Sequence, residues 1–552
     1  MATAQRAPRR LQVLAQQVAG PAEQQWDGDL GRGDQGGSAL TLTPKSAGGR
    51  TLPPELGRAF DVVVVGSGFS GLVTAILLRN AGKSVRVFEK GTDVGGTWFW
   101  NRYPGCACDV ESVYYSYSFD TDLEQEWVWP MRYSNRDAIF SYARHVAMRF
   151  DVYDLIRFST EVVSCRWNEE ACSWTVGTDC GDEVSCRHLV LAIGALSMPR
   201  LPSAPGLDSF GGRVLHTARW PEGAAGDMNG LRVGLVGTGA TAVQILPEIA
   251  ERCSQVYVFQ RTPATVRPRK NRDTDLEALA EFKKSYPDRR RWFRDNVDVY
   301  WDDINDPASN GRMMEKLRSS IRATVRNQRT AEVLCPNYVF GCKRPCIHDG
   351  YYEAFNLPNV ELVDVSGEAG LQEFCPEGPR HKGRTFPVDV LIFATGFDAM
   401  GGGNYARCGI RGVKGISLEQ KWQGSSRPKS LYGIHVAGFP NMYILHGPHS
   451  PSVLSNMIQT AEIQARHIVA AILRASELPR GRIETTEAAE DQWYEMSQDI
   501  GLQKVQSQCL NWYNKGRGSG GLQIYTGNQK ELFEMMEQDQ SDGFCGPKFR
   551  CS

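Results

Sequence analysis

The sequence predicts an α/β protein built from two Rossmann-like dinucleotide-binding domains, the second carrying a helical insertion. Three observations predict it. A glycine-rich turn in Val62-Val-Val-Val-Gly-Ser-Gly-Phe-Ser-Gly71 follows a β-branched run and opens a helix-like one. A second turn, in Val233-Gly-Leu-Val-Gly-Thr-Gly-Ala-Thr-Ala242, repeats that arrangement. A charged stretch from about 270 to 332 has helical patterning and interrupts the second unit.

The 552 residues suffice for two or three domains, each able to bury a core. The expected division is a disordered tail over 1–58, a first dinucleotide domain over 59–200, a second over 201–385, and a return to the first over 386–552. Residues 1–58 are rich in Gln, Gly, Ala, Pro and Arg; Glu23, Asp27, Asp29 and Asp34 argue against an organelle presequence. A formal net charge of −1 makes no case for nucleic acid or an anionic membrane as partner. No apolar run approaches the roughly 18 residues that span a bilayer. The 15 cysteines are scattered, and no signal-peptide pattern precedes them, which points to a reduced, cytoplasmic protein. Cys106 and Cys108 are too closely spaced for a zinc knuckle, and Cys335, Cys342, Cys346 and His348 fit no common zinc pattern, so no metal is expected.

In the first unit Asp61–Val65 reads as a central parallel strand buried on both faces. Gly66 allows the tight turn, Gly68 lets a pyrophosphate approach the backbone, and Gly71 lets helix and strand pack closely, with Phe69 inside the turn. Leu72–Asn80 reads as the helix behind it and Ser84–Glu89 as the next strand. Glu89 ends that strand 18 residues past Gly71 (89 − 71), near the distance at which an acid meets a ribose hydroxyl. In the second unit Gly237, Thr238, Gly239 and Ala242 form the turn after strand Val233–Val236. The strand Val256–Phe259 ends in Gln260-Arg261-Thr262 instead of an acid. A guanidinium with no acid beside it favours a 2′-phosphate, hence NADPH.

Between the turns lies Phe210-Gly-Gly-Arg-Val-Leu-His-Thr-Ala-Arg-Trp-Pro221. Phe210, Gly212, His216, Trp220 and Pro221 resemble the fingerprint of type I Baeyer–Villiger monooxygenases. A second signature of that family matches Gly95-Gly-Thr-Trp-Phe-Trp-Asn-Arg-Tyr-Pro-Gly-Cys-Ala-Cys-Asp109 at every specified position. The resemblance covers about 59–535 and implies FAD on the first unit and NADPH on the second. It assigns flavin contacts to Gly96, Thr97, Trp98, Asp109, Tyr115 and Met457, and an adenine contact to Val162. Ala195 stands where relatives often carry a polar residue. In Tyr338-Val-Phe-Gly-Cys-Lys-Arg-Pro345, the resemblance gives Lys343 the 2′-phosphate and makes Arg344 the catalytic arginine, oriented by Asp109. Ser452, Val453 and Leu454 become candidates for pocket shape, and Trp512 for reaching over NADP.

The activity so implied is insertion of one oxygen atom beside a ketone carbonyl, giving an ester or lactone. Its partners are a ketone and dioxygen, and it runs through a C4a-peroxyflavin stabilised by Arg344. The alternative is an N- or S-oxygenating flavin monooxygenase, which needs no catalytic guanidinium and whose fingerprint lacks the Trp-Pro ending. A disulfide-type reductase would show Cys-x-x-x-x-Cys beside the flavin, and none exists here. A cofactor-binding protein without turnover is a further alternative, and the presence of Asp109, Lys343 and Arg344 together speaks against it. The strand-like run Val388–Asp398, ending in Ala-Thr-Gly, is expected to open the return to the FAD domain.

Overall fold

The computed structural model describes residues 54–221, 228–367, 370–399, 403–451, 455–514 and 521–552. Two sheets organise it, and each is centred on a strand that feeds a glycine turn. In the first sheet Leu56–Val65 pairs in parallel with Val85–Phe88 on one side and Glu183–Leu191 on the other. Val62, Val63 and Val64 are fully buried, because a central strand with both faces covered leaves no polar face for alternation. Ile156–Arg157 extends one edge in parallel, while Ser173–Thr178 and Val162–Asn168 extend the other in antiparallel pairing. Late parts of the chain return to this sheet. Met442–Ile444 pairs with Leu189–Leu191, and Ile410–Arg411 with Cys165–Arg166.

The expected tail over 1–58 lies outside the described residues as far as 53. Its end is corrected: Leu56, Gly57 and Arg58 already belong to the first strand.

The second sheet is wholly parallel, in the order Val360–Asp364, Gln255–Gln260, Arg232–Val236, Val390–Phe393, Arg213–His216. This corrects the boundary placed at 385/386. Val390–Phe393 is no part of the return; it sits inside the second sheet, between the glycine-turn strand and the edge strand that carries His216. A Val-Leu-Ile-Phe run buried on both faces suits either sheet, and hydrogen-bond pairing makes the choice.

The two turns are built alike. Gly66 and Gly237 have φ of +100° and +115°, and a Cβ on either would meet a carbonyl oxygen, of Ala192 or Ala394, at 2.5 Å. Ala394-Thr-Gly396 thus stands to the second turn as Ala192-Ile-Gly194 stands to the first. Beyond them the two connections between the units run side by side. Arg200 N–H donates to Gly396 O and Asp398 N–H to Met198 O, both at 2.9 Å.

The insertion forms four helices, Leu276–Lys284, Tyr286–Asn305, Pro307–Thr324 and Gln328–Leu334. Asp275, Asp306 and Asn327 cap three of them through their side chains. The first two helices pack back onto the first unit. Arg290 pairs with Glu124 at 2.8 Å with both side chains under a tenth exposed, and Lys283 Nζ donates to the carbonyls of Gln125 and Trp127. Among the described residues no helix is long and apolar enough to cross a membrane.

Candidate active site

The helices Phe69–Asn80 and Ala240–Ala250 begin directly after Gly68 and Gly239, with no side chain capping either one. Their first N–H groups are therefore left for an external acceptor, which is what a phosphate requires. Glu89 lies at the first turn, and its carboxylate braces that turn. One oxygen accepts from Ser67 N (2.7 Å) and Ser67 Oγ (2.9 Å), the other from Gly91 N (2.7 Å). Burial pushes its carboxyl pKa up, opposed by those hydrogen bonds.

The segment with the second signature folds over this turn. Gly96 lies back to back with Gly68, and Thr97–Trp100 makes a single helical turn with Thr97 exposed. Trp98 Nε1 donates to the Tyr115 hydroxyl at 3.1 Å, with the rings edge to face. The Phe69 ring centre lies 6.0 Å from that of Tyr115. Phe69, Trp98 and Tyr115 therefore come together, although Tyr115 is 46 residues beyond Phe69 (115 − 69). Val162 is buried at a register shift in its strand pair, just past Thr160, whose N–H donates to Glu89 O. Met457 opens the helix Met457–Ala475, where Asn456 caps Ile458 N and also donates to Tyr114 O. Residues 452–454 lie outside the described residues.

At the second turn Thr238 Oγ1 donates to Thr262 O at 2.6 Å, tying the turn to the end of the next strand. Gln260 occupies the place of the missing acid; it is buried and donates to Val333 O. Arg261 is exposed beside it. Lys343 is part-buried, and burial together with the charge of Arg261 holds its pKa below the usual lysine value. Two cations this close repel each other until an anion joins them. In this structure Lys343 Nζ donates to Leu510 O at 2.8 Å. Trp512 follows, its ring centre 4.3 Å from that of Tyr513 and partly buried on a cluster with Ala399, Leu522 and Ile524.

Arg344 and Asp109 meet between these two regions. One oxygen of Asp109 accepts from Arg344 Nε at 3.0 Å and Nη2 at 2.6 Å. The neighbouring carboxylate pushes the Arg344 pKa up, so the guanidinium stays charged. Asp109 uses two of five N–H donors, leaving the remainder for another oxygen. Cys346 lies alongside, its thiol pushed up to about 12 by burial, and so does the fully buried Tyr513, whose hydroxyl burial also pushes up. Tyr513 escaped the sequence reading. Its one signal was adjacency to Trp512, which does not reveal which way a ring faces.

The fingerprint residues divide between the core of the second unit and the junction between the units. Phe210 joins the second core, and a Cβ on Gly212 would meet both Asp389 O and the Phe210 ring at 2.5 Å. His216 Nδ1 accepts from Ala218 N, capping the short turn Thr217–Arg219, and its ring lies edge-on to Phe397 of the returning connection. Trp220 is buried, and the Arg219 guanidinium covers the Trp100 ring at 4.8 Å.

The expectation of fully reduced cysteines is corrected, since Cys342 and Cys509 form a disulfide across 167 residues. Among the described residues no group of three or more His, Cys, Asp or Glu is placed to hold a metal ion.

Residues 64–126 match a family model described as an NAD(P)-binding Rossmann-like domain, and residues 125–286 one described as L-lysine 6-monooxygenase/L-ornithine 5-monooxygenase. Neopentalenolactone D synthase of Streptomyces avermitilis is 38% identical over 484 residues, which are 79% of this chain and 80% of that protein. A Baeyer–Villiger monooxygenase of Pseudooceanicola batsensis is 33% identical over 497 residues, 83% of this chain and 90% of that one. The solved structure of OTEMO in complex with FAD and NADP matches with a TM-score of 0.83 at 32% identity, covering 90% of this chain and 100% of that one.

Proposed function

The chain belongs to the Baeyer–Villiger monooxygenases, and on that footing we propose that it uses FAD, NADPH and dioxygen to insert one oxygen atom beside a ketone carbonyl. The product is an ester or lactone, and the name of the relative neopentalenolactone D synthase supports the lactone. The observation that carries the reading is the Arg344–Asp109 pair, held between the two nucleotide-binding units.

Gly66, Gly68, Phe69, Gly71, Glu89, Gly96, Thr97, Trp98, Tyr115, Val162 and Met457 would hold the FAD. The uncapped start of helix Phe69–Asn80 fits its pyrophosphate. Gly237, Thr238, Gly239, Ala242, Arg261, Thr262, Lys343 and Trp512 would hold NADPH, and the repelling pair Lys343 and Arg261 fits a 2′-phosphate dianion. The bound flavin, once reduced by NADPH, supplies the activation of dioxygen. The protein's part is electrostatic. Arg344 offers N–H donors to the oxygen that gains charge as the carbonyl is attacked, and Asp109 fixes the plane of the guanidinium. Because its pKa is pushed up, Arg344 does not act as an acid; it orients and stabilises.

A second reading, oxygenation of nitrogen or sulfur, draws on the family match over 125–286. That stretch stops short of Arg344, and heteroatom oxygenation has no use for a guanidinium fixed by an acid.

The test is to reduce the protein with NADPH anaerobically, mix it with oxygenated buffer, and analyse products from a panel of ketones, amines and sulfides. Ester or lactone from a ketone supports the proposal. Turnover of amines or sulfides alone would replace it with the second reading. Undiminished ketone oxygenation by Arg344→Ala with both cofactors bound would remove Arg344 from the mechanism.

A further inference from the structure

Cys342 directly precedes Lys343 and Arg344, and Cys509 directly precedes the Leu510–Asn514 segment that carries Trp512. Their disulfide joins these two segments, with Cα atoms 6.0 Å apart. The non-covalent contacts between the same segments are the buried Tyr513 beside Arg344 and a few polar bonds. Lys343 Nζ donates to Leu510 O at 2.8 Å, and Asn511 Nδ2 donates to Cys342 O at 2.9 Å. Asn511 Nδ2 also donates to Gln506 O at 2.7 Å, and Asn514 Nδ2 to Cys509 O at 2.7 Å. Leu510 is half exposed and adds little apolar burial.

The bond from Lys343 to Leu510 O and the ligand draw on one ammonium. Leu510 O takes one of the three N–H donors of Lys343, so a 2′-phosphate drawing on the others leaves the segment joined to that ammonium by a single hydrogen bond. A covalent link does not depend on that bond. With the disulfide closed, the segment stays at the nucleotide whichever partner Lys343 takes, and the entropy of finding it again is already removed.

We infer that Cys342 and Cys509 are a reversible tether, holding the Cys509–Asn514 segment against the Lys343–Arg344 segment, so that their thiol–disulfide state sets how tightly NADP+ is retained. Opening the tether takes two electrons and two protons from a dithiol, which leaves as its cyclic disulfide while two protein thiols form. The inference rests on the NADP site proposed above. Its readouts are thiol state and NADP+ binding, neither of which needs a ketone.

The experiment uses the full-length FAD-loaded protein. Peptide mapping without reductant is expected to find Cys342 and Cys509 in one cross-linked pair, lost after dithiothreitol. Titration with NADP+ is expected to give a dissociation constant about tenfold larger after reduction, the scale of losing an effective local concentration. Cys509→Ser is expected to bind with the weaker value and ignore dithiothreitol, and reoxidation of the parent should restore the tighter one. Free alkylation of both thiols in the air-oxidised parent would overturn the inference. So would an NADP+ affinity unchanged by reduction in a parent whose cross-link was seen to open. Absence of NADP+ binding in both states would instead overturn the underlying site assignment.

Discussion

Asp109 and Arg344 stand 235 residues apart, yet a single oxygen of Asp109 accepts from both Nε and Nη2 of Arg344. A fork held at two points has its plane fixed, which a lysine at the same place would not provide. Asp109→Asn keeps the shape and removes the charge. The expected outcome is a fall in kcat for ketone oxygenation of about 100-fold, with flavin content and NADPH affinity little changed, on the scale of a misplaced electrostatic group. Arg344→Lys is expected to lose as much as Arg344→Ala. Steady-state product formation alongside the flavin absorbance spectrum checks both.

Lys343 and Arg261 predict the nucleotide preference and its pH dependence. Removing either, as Lys343→Met or Arg261→Ala, should raise KM for NADPH by about 10- to 100-fold, the worth of one hydrogen bond to a charged group. KM for NADH should stay the same. Burial and Arg261 lower the Lys343 pKa, so its charge is complete at low pH and is lost as pH rises through a value below the usual lysine range. NADPH binding should therefore weaken with rising pH earlier than for an ordinary lysine. The ratio of the two KM values across pH reports it, because NADH lacks the phosphate.

The Glu124–Arg290 pair docks the inserted helices on the first unit. Breaking one side leaves a buried charge unpaired, and Arg290 also supports the carbonyls of Ser116 and Tyr117. Glu124→Gln is expected to destabilise the protein by roughly 3 kcal/mol, whereas the double variant Glu124→Gln with Arg290→Met should lose less. Thermal unfolding, with proteolysis between 276 and 305 as a local probe, separates these outcomes.

Gly212 tests the fingerprint as architecture. A methyl there meets Asp389 O and the Phe210 ring, pushing the edge strand away from Val390–Phe393. Gly212→Ala should cost about 1–3 kcal/mol of stability, the usual range for overpacking. NADPH reduction of the flavin should slow, since this strand leads to the junction between the units. Rapid-mixing reduction kinetics measure the second effect.

Most of the architecture was legible because its signals are local. A turn that needs left-handed glycine, a β-branched run and the helix after it all lie within one short window, so both glycine turns and their flanking elements could be located from residues alone. Glu89 was legible in position, while its hydrogen bonds to Ser67 and Gly91 within the turn became visible only in the fold. The fingerprint residues were recognisable by spacing, while their placement, with His216 against Phe397 and Arg219 over Trp100, follows from contacts between distant segments.

By itself the sequence determined the two dinucleotide units, the helical insertion, the absence of an acid after the second turn and the residues of the charged pair. Only the tertiary structure decided that Val390–Phe393 joins the second sheet, that Arg290 meets Glu124, that Tyr513 lies beside Arg344 and that Cys342 is bonded to Cys509. The physical reason is the range of the interactions. Backbone conformation and hydrophobic period are set by neighbours in sequence. Strand partners, ion pairs and disulfides are chosen among many compatible candidates by the packing of the whole chain.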